Sequence, residues 1–159
     1  MSQPTETPTP TPGQVDVRGP RFAAWITTGV LVLVLIASAG LVPLAAVLIA
    51  VQAVIFAIGA AAGPRRSPYG VLYAKLVAPR IGPASEVEPV APLRFAQLVG
   101  LIFAVLSLIG FVAGSTVVGV IFAAFALFAA FLNAAFGICL GCKIYPLVLR
   151  LRPATESTH

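Results

Sequence analysis

Of the 159 residues, 59% are hydrophobic and only 9% charged, where an ordinary soluble domain carries about a quarter charged residues. That is too little polar surface to coat a water-soluble globule, and the mean hydropathy of +1.02 points the same way. The formal net charge of +5 comes without a basic cluster interleaved with stacking aromatics, so nucleic-acid binding is set aside and the excess is read as a membrane orientation signal.

Residues 1–17 are a Pro/Thr-rich tail. Up to Gln14 no aliphatic residue follows Met1, a composition that buries too little to offset the entropy of ordering, and disorder is predicted. Arg18 and Arg21 precede a first apolar run, 22–41, interrupted only by Thr27, Thr28 and Ser38. At 1.5 Å per residue it is long enough to cross a hydrocarbon core of about 30 Å. The same stretch imitates a secretory signal peptide, with Ala37-Ser38-Ala39 as a cleavage site. Cleavage there would leave a chain beginning inside its next hydrophobic span, so a retained first span is preferred. An uncharged turn leads into a second run, 44–62, whose one polar residue is Gln52.

The composition then changes. Residues 63–93 are proline-rich and carry Arg65, Arg66, Lys75, Arg80, Glu86 and Glu88. Within this loop, 69–77 reads equally as two turns of interfacial helix or as irregular chain, since Tyr and Lys both favour the headgroup region. A third run, 94–113, and a fourth, 117–137, are joined by the uncharged Gly114-Ser115-Thr116. Beyond them, 143–152 is basic, with Ile144, Leu147, Val148 and Leu151 at helical spacing. It is expected to lie along the interface, and 153–159 is a second disordered tail ending in a solvated His159.

The fold class that follows is an all-α membrane protein with four transmembrane helices in two hairpins. Four spans put both termini and the 63–93 loop on one side and the two tight turns on the other. All ten Lys and Arg residues fall on the first side, which the positive-inside bias makes cytoplasmic. The expected location is a cell (inner) membrane, multi-pass, with the lipid bilayer as the first partner.

Three Gly-x-x-x-Gly pairs occur, Gly59/Gly63, Gly110/Gly114 and Gly137/Gly141, a spacing that lets helix backbones approach in lipid. It also occurs where glycines mark helix ends. No Asp, Glu, Lys or His lies in the central part of a span, which argues against a transporter built on buried charge. Gln52, Gln97 and Asn133 are the amides left. Such groups serve as interhelical hydrogen-bond glue, and the alternative for Gln97 and Asn133 is contact with a substrate. Pro20-Arg21-Phe22-Ala23 and Leu93-Arg94-Phe95-Ala96 open the two halves with a weak internal echo, which chance explains equally well.

The chain's two cysteines stand together as Cys139-Leu140-Gly141-Cys142. At i and i+3 on one helix they face the same way, as a redox, sulfur-carrying or metal-binding pair would, or as two small apolar fillers. Two thiolates alone do not complete tetrahedral zinc, so neither a metal nor another cofactor is assigned, although a dimer would supply the missing ligands. Soluble dithiol enzymes place such a pair at a helix amino terminus, where the dipole favours thiolate. Here it follows the carboxy end of the fourth span, offset by Lys143, and only a helix break at Gly141 improves it. If the fourth helix ran on through Cys142, Asn133 and Cys142 would point about 180° apart, so a joint site requires a break near Gly137 or Gly141.

Gly19-Pro20-Arg21-Phe22, Gly63-Pro64-Arg65-Arg66, Leu93-Arg94-Phe95-Ala96-Gln97, and Asn133 to Gly137 running into Cys139-Leu-Gly-Cys142-Lys143-Ile144-Tyr145 together resemble the bacterial integral membrane family named domain of unknown function 4395. The resemblance implies a membrane domain over about 15–152 with no established reaction, in the company of thioredoxin-like and sulfurtransferase proteins in actinobacteria. The functional expectation is therefore thiol/disulfide or sulfane-sulfur exchange through Cys139 and Cys142, supported by Lys143, Asn133 and Gln97, with a cytoplasmic thioredoxin-like or sulfurtransferase protein as partner. The alternative is a non-enzymatic scaffold or assembly subunit, or a homo-oligomer, packing through its Gly-rich helix faces.

Overall fold

The computed structural model describes residues 13–82, 87–137 and 140–151, with the side chains of Glu88 and of 140–143 outside that description. In chain order the helices are α1 (Arg18–Ser38) and α2 (Val42–Ala62), then a short helical segment composed of α3 (Pro68–Leu72), one π-helical turn (Tyr73–Val77) and α4 (Ala78–Ile81), and then α5 (Val90–Val112), α6 (Thr116–Phe136) and α7 (Leu140–Leu151). Two short strands, β1 (Gln14–Asp16) and β2 (Val87–Pro89), pair antiparallel with Gln14 opposite Pro89 and Asp16 opposite Val87.

Four of these helices, α1, α2, α5 and α6, are long and apolar enough to cross a membrane, each 21 to 23 residues with a mean hydropathy between 1.8 and 2.5. Their ends follow local chemistry. The first helix begins at Arg18 rather than at 22, because Pro20 falls in the first turn, where no backbone N–H is needed, and the Arg21 N–H donates to the Val17 carbonyl at 3.4 Å. It stops at Ser38 rather than at 41, where Ala39 and Gly40 donate back to the Ile36 and Ala37 carbonyls at 3.2 Å. Helix α5 opens at Val90 rather than at 94, again with a proline, Pro92, in its first turn. Helix α6 is capped by the Ser115 hydroxyl, which accepts from the Val118 N–H at 3.4 Å. It ends at Gly137, whose φ of +68° suits a residue without a Cβ.

Two segments differ from a loop-and-tail picture. Of the alternatives for 69–77, the helix is found: the Ser67 hydroxyl accepts from the Gly70 N–H at 3.2 Å and Pro68 takes the first position. Gln14, Val15 and Asp16, expected within a disordered tail, form β1 instead. Strand β2 offers a pairing edge, and Asp16 gains charged and hydroxyl partners that repay its ordering. Residues 1–12 and 152–159 lie outside the described residues.

The long helices pack as a ring, α1 on α2, α2 on α5, α5 on α6 and α6 back on α1, while the diagonal pairs barely touch. Leu31, Val34, Ala45, Ile49, Ala104 and Ala123 are fully or almost fully buried inside it. Outward, Ile36, Val47, Val54, Ile109, Val112, Phe131 and Phe136 are exposed. A third or less of each apolar window is buried within the protein, as expected for helices whose outer face meets lipid rather than water.

The backbones of α5 and α6 approach closely near the turn that joins them. A Cβ on Gly110 would lie 2.5 Å from the Gly119 nitrogen, and the Ser107 hydroxyl donates to the Gly119 carbonyl at 2.7 Å. Gly110 is thus consumed by contact within the chain. Gly59 likewise faces the Gln97 side chain, 2.9 Å from where its Cβ would stand, and Gly63 and Gly137 end helices. We expect Gly110→Val to cost at least about 1–3 kcal/mol through overpacking and Gly29→Val, with open space around Gly29, to stay within about 0.5 kcal/mol of the parent. Unfolding in mixed micelles measures both, and equal stabilities would contradict the tight α5–α6 contact.

Candidate functional site

The end opposite the turns is polar, and its arginines act on backbone carbonyls. The Arg94 Nε and Nη2 donate to the carbonyls of Ala60 and Ala61, in the last turn of α2, at 2.9 and 2.6 Å. The Arg21 Nη2 donates to the Ala134 carbonyl near the end of α6 at 3.4 Å. Arg18 reaches the Ile81 and Gly82 carbonyls at 3.4 and 3.0 Å, and Arg65 the Gln14 carbonyl at 2.6 Å. Each cation placed at a helix carboxy end also meets the negative pole of that helix. The two echoed motifs therefore have matching roles: the arginine opening each half caps the second helix of the other half.

Asp16 ties this end together. It holds Arg18 in a salt bridge at 2.7 Å and accepts from the Tyr73 hydroxyl at 2.9 Å. Burial pushes its carboxyl upward, but hydrogen bonds from the Arg18 side chain and N–H and from Tyr73 outweigh that and hold it below its ordinary value. Tyr73 moves the other way: burial and its bond to the anionic Asp16 raise its hydroxyl.

Beneath the polar end, where the ring leaves its diagonals apart, is a cavity of about 300 Å³. It is lined by the first half of α1, the middle of α2, α5 from Leu93 to Phe103 and α6 from Phe125 to Asn133, with Tyr69 of α3 and Ile144 of α7 also in its wall. Among the described residues no Asp, Glu, Lys, Arg or His lines it, and four phenyl rings do, those of Phe56, Phe103, Phe125 and Phe128. Gln52, Gln97, Asn133, Thr27 and Tyr69 bring polar groups into it.

These polar groups divide into two kinds. Gln52 is fully buried and occupied: its Oε1 accepts from the Tyr69 hydroxyl at 2.8 Å and its Nε2 donates to the Thr27 hydroxyl at 3.5 Å. That is the interhelical hydrogen-bond glue expected of this amide. Burial raises the Tyr69 hydroxyl above its ordinary range, keeping it a neutral donor. Gln97 and Asn133 are half-buried on the same cavity wall. Among the described residues neither amide side chain has a hydrogen-bond partner, so both keep donor and acceptor capacity for a guest.

Of the remaining residues singled out from sequence, Cys139 lies outside the described residues. Cys142 and Lys143 are placed only by their backbone, in the first turn of α7. The helix break lies at Gly137; Gly141 belongs to α7. Helix α7 packs chiefly on α5 and also touches α6, with the Phe95 and Tyr145 rings 5.8 Å apart. Sequence reasoning missed Tyr69 as a cavity group, and its only signal was the Ser-Pro pair ahead of it, which starts a helix aimed back at the bundle.

The pattern of a known family matches residues 15–150. The chain belongs to the family described as domain of unknown function (DUF4395). Its match covers the strand pair, the four long helices and most of α7, so polar end and cavity both fall within the family domain. Neither a curated protein nor a solved structure matches the chain.

Removing the Tyr69 hydroxyl would leave Gln52 Oε1 without its donor. We expect Tyr69→Phe to cost about 0.6 kcal/mol, and no more than about 1.7 kcal/mol, in detergent unfolding. An unchanged stability would mean that this hydrogen bond does not hold α3 over the cavity.

Proposed function

We propose that this chain is a multi-pass protein of a bacterial cell membrane, built as two helical hairpins with both termini and the arginine-rich end in the cytoplasm, that admits a small uncharged molecule to the cavity inside its helix ring. The observation that carries this reading is the pair of amides, Gln97 and Asn133, without partners among the described residues, in an aromatic cavity whose described lining carries no charged side chain. Intramembrane polar groups are expensive unless paired, and two such groups converging on one space are the pattern of a binding site. The cytoplasmic assignment rests on the positive-inside bias, since Arg18, Arg21, Arg65 and Arg94 gather at that end.

A second reading concerns the thiols. Exchange of electrons or sulfane sulfur between Cys139/Cys142 and a cytoplasmic thioredoxin-like or sulfurtransferase protein is favoured by the break at Gly137. The new helix that follows has Cys142 in its first turn, the end of a helix dipole that stabilises thiolate. A scaffold role through glycine faces draws less support, because Gly59 and Gly110 are already packed within the chain.

Thiol labelling tests both readings. With Cys139 and Cys142 replaced by Ser, Ala130→Cys on the cavity wall is expected to react with N-ethylmaleimide several-fold faster than Val54→Cys on the lipid-facing surface. Equal rates would remove the accessible cavity. In an otherwise native chain, Cys142 is expected to alkylate at neutral pH faster than a reporter at Arg66→Cys, and a slower rate would dispose of the thiolate reading.

A further inference from the structure

The lining of the cavity narrows the class of its guest, taking the binding reading above as its basis. Among the described residues no lining side chain carries a charge at neutral pH, so a charged ligand would find no counter-charge there in a low-dielectric site, and the guest is neutral. A volume of about 300 Å³ lies at the small end of ligand pockets and suits a head group of one or two rings. Four phenyl rings in the wall favour a planar guest, since aromatic faces and edges pack best against another ring. Phe103 and Phe125 already stand 6.0 Å apart in a tilted pair.

The two unpartnered amides add a sharper constraint. A carboxamide carries an NH₂ donor and a C=O acceptor on one planar group, so by turning about its last torsion it serves a guest carbonyl or a guest hydroxyl equally well. Gln97 on α5 and Asn133 on α6 present two such groups to one space. A site of this kind accepts a ring whose two oxygens change between carbonyl and hydroxyl while the molecule stays neutral. The route in is also visible. Phe125 and Phe128 both line the cavity and are 54% and 59% exposed, so the cavity borders the accessible surface of the protein at α6. A guest dissolved in the bilayer can enter there and leave an apolar tail outside.

We infer that the cavity is a binding site for the planar head group of a lipid-soluble quinone or its quinol, with Gln97 and Asn133 on its oxygens and the phenyl rings against its faces and edges.

The test uses the full-length protein in nanodiscs, with empty nanodiscs as the partition blank, and three probes of one shape. These are duroquinone, its hydroquinone, and durene, which has the same methylated ring without oxygens. Full ring substitution keeps duroquinone from alkylating the cysteines. Equilibrium dialysis is expected to give saturable binding of the quinone and hydroquinone, with durene about tenfold weaker. Gln97→Leu and Asn133→Leu are each expected to weaken duroquinone several-fold and leave durene unchanged, and Ala130→Phe to abolish all saturable binding by filling the cavity. Durene binding as tightly as duroquinone to the unaltered protein overturns the quinone assignment and leaves the cavity reading standing, a result that does not depend on any variant folding. Saturable binding of none of the three overturns both.

Discussion

Carbonyl groups at the ends of membrane helices must find donors, because hydrocarbon offers none. Here arginine guanidinium groups supply them: Arg94 for α2, Arg21 for α6 and Arg18 for the end of α4. Two of these bonds join helices that are distant in sequence and neighbours in the ring, so the groups that satisfy the helix ends also set which helices stand side by side. Asp16 completes the arrangement by tying Arg18 to the strand pair and to Tyr73, which anchors the amino-terminal segment over the same end.

The shape of the interior follows from this. At the turn end the backbones meet at Gly110 and Gly119 and are locked by Ser107. At the other end the arginines join α5 to α2 and α1 to α6, neighbours that pack along one another, while the diagonal pairs remain apart. The space between them is filled only in part, by phenyl rings and by the Gln52–Tyr69 bond, and Gln97 and Asn133 are left facing it. Polar closure at one end and small-residue closure at the other thus leave a cavity open to neutral molecules, below a helix that carries Cys142.

Much of the helical framework was legible in the sequence. Largely apolar runs of about twenty residues have few ways to satisfy their backbone in a membrane other than as helices, and the glycines and prolines punctuated them to within a few residues. The shifts at Arg18 and Val90 came from prolines that are tolerated in a first turn. The β1–β2 pair was not legible, because three-residue strands carry no periodicity and Asp16 looks like tail until Arg18 and Tyr73 are seen around it. At the candidate site, Gln97 and Asn133 were visible as polar residues in apolar runs. Their convergence on one cavity depends on helix rotation and on the break at Gly137, and Tyr69 is brought in by a turn whose direction no local pattern specifies.

Access to the cavity and the setting of Cys142 both follow from one proposed arrangement, a bundle that crosses the membrane with its arginine-capped end inside. Cysteine reporters at Arg66→Cys in the central segment and Gly40→Cys in the first turn, in a chain with Cys139 and Cys142 replaced by Ser, report on it directly through a membrane-impermeant maleimide on intact cells. Labelling of the Gly40 reporter from outside, with the Arg66 reporter protected until the membrane is permeabilised, is the expected result. Labelling of the Arg66 reporter from outside, or of both reporters alike, would contradict it.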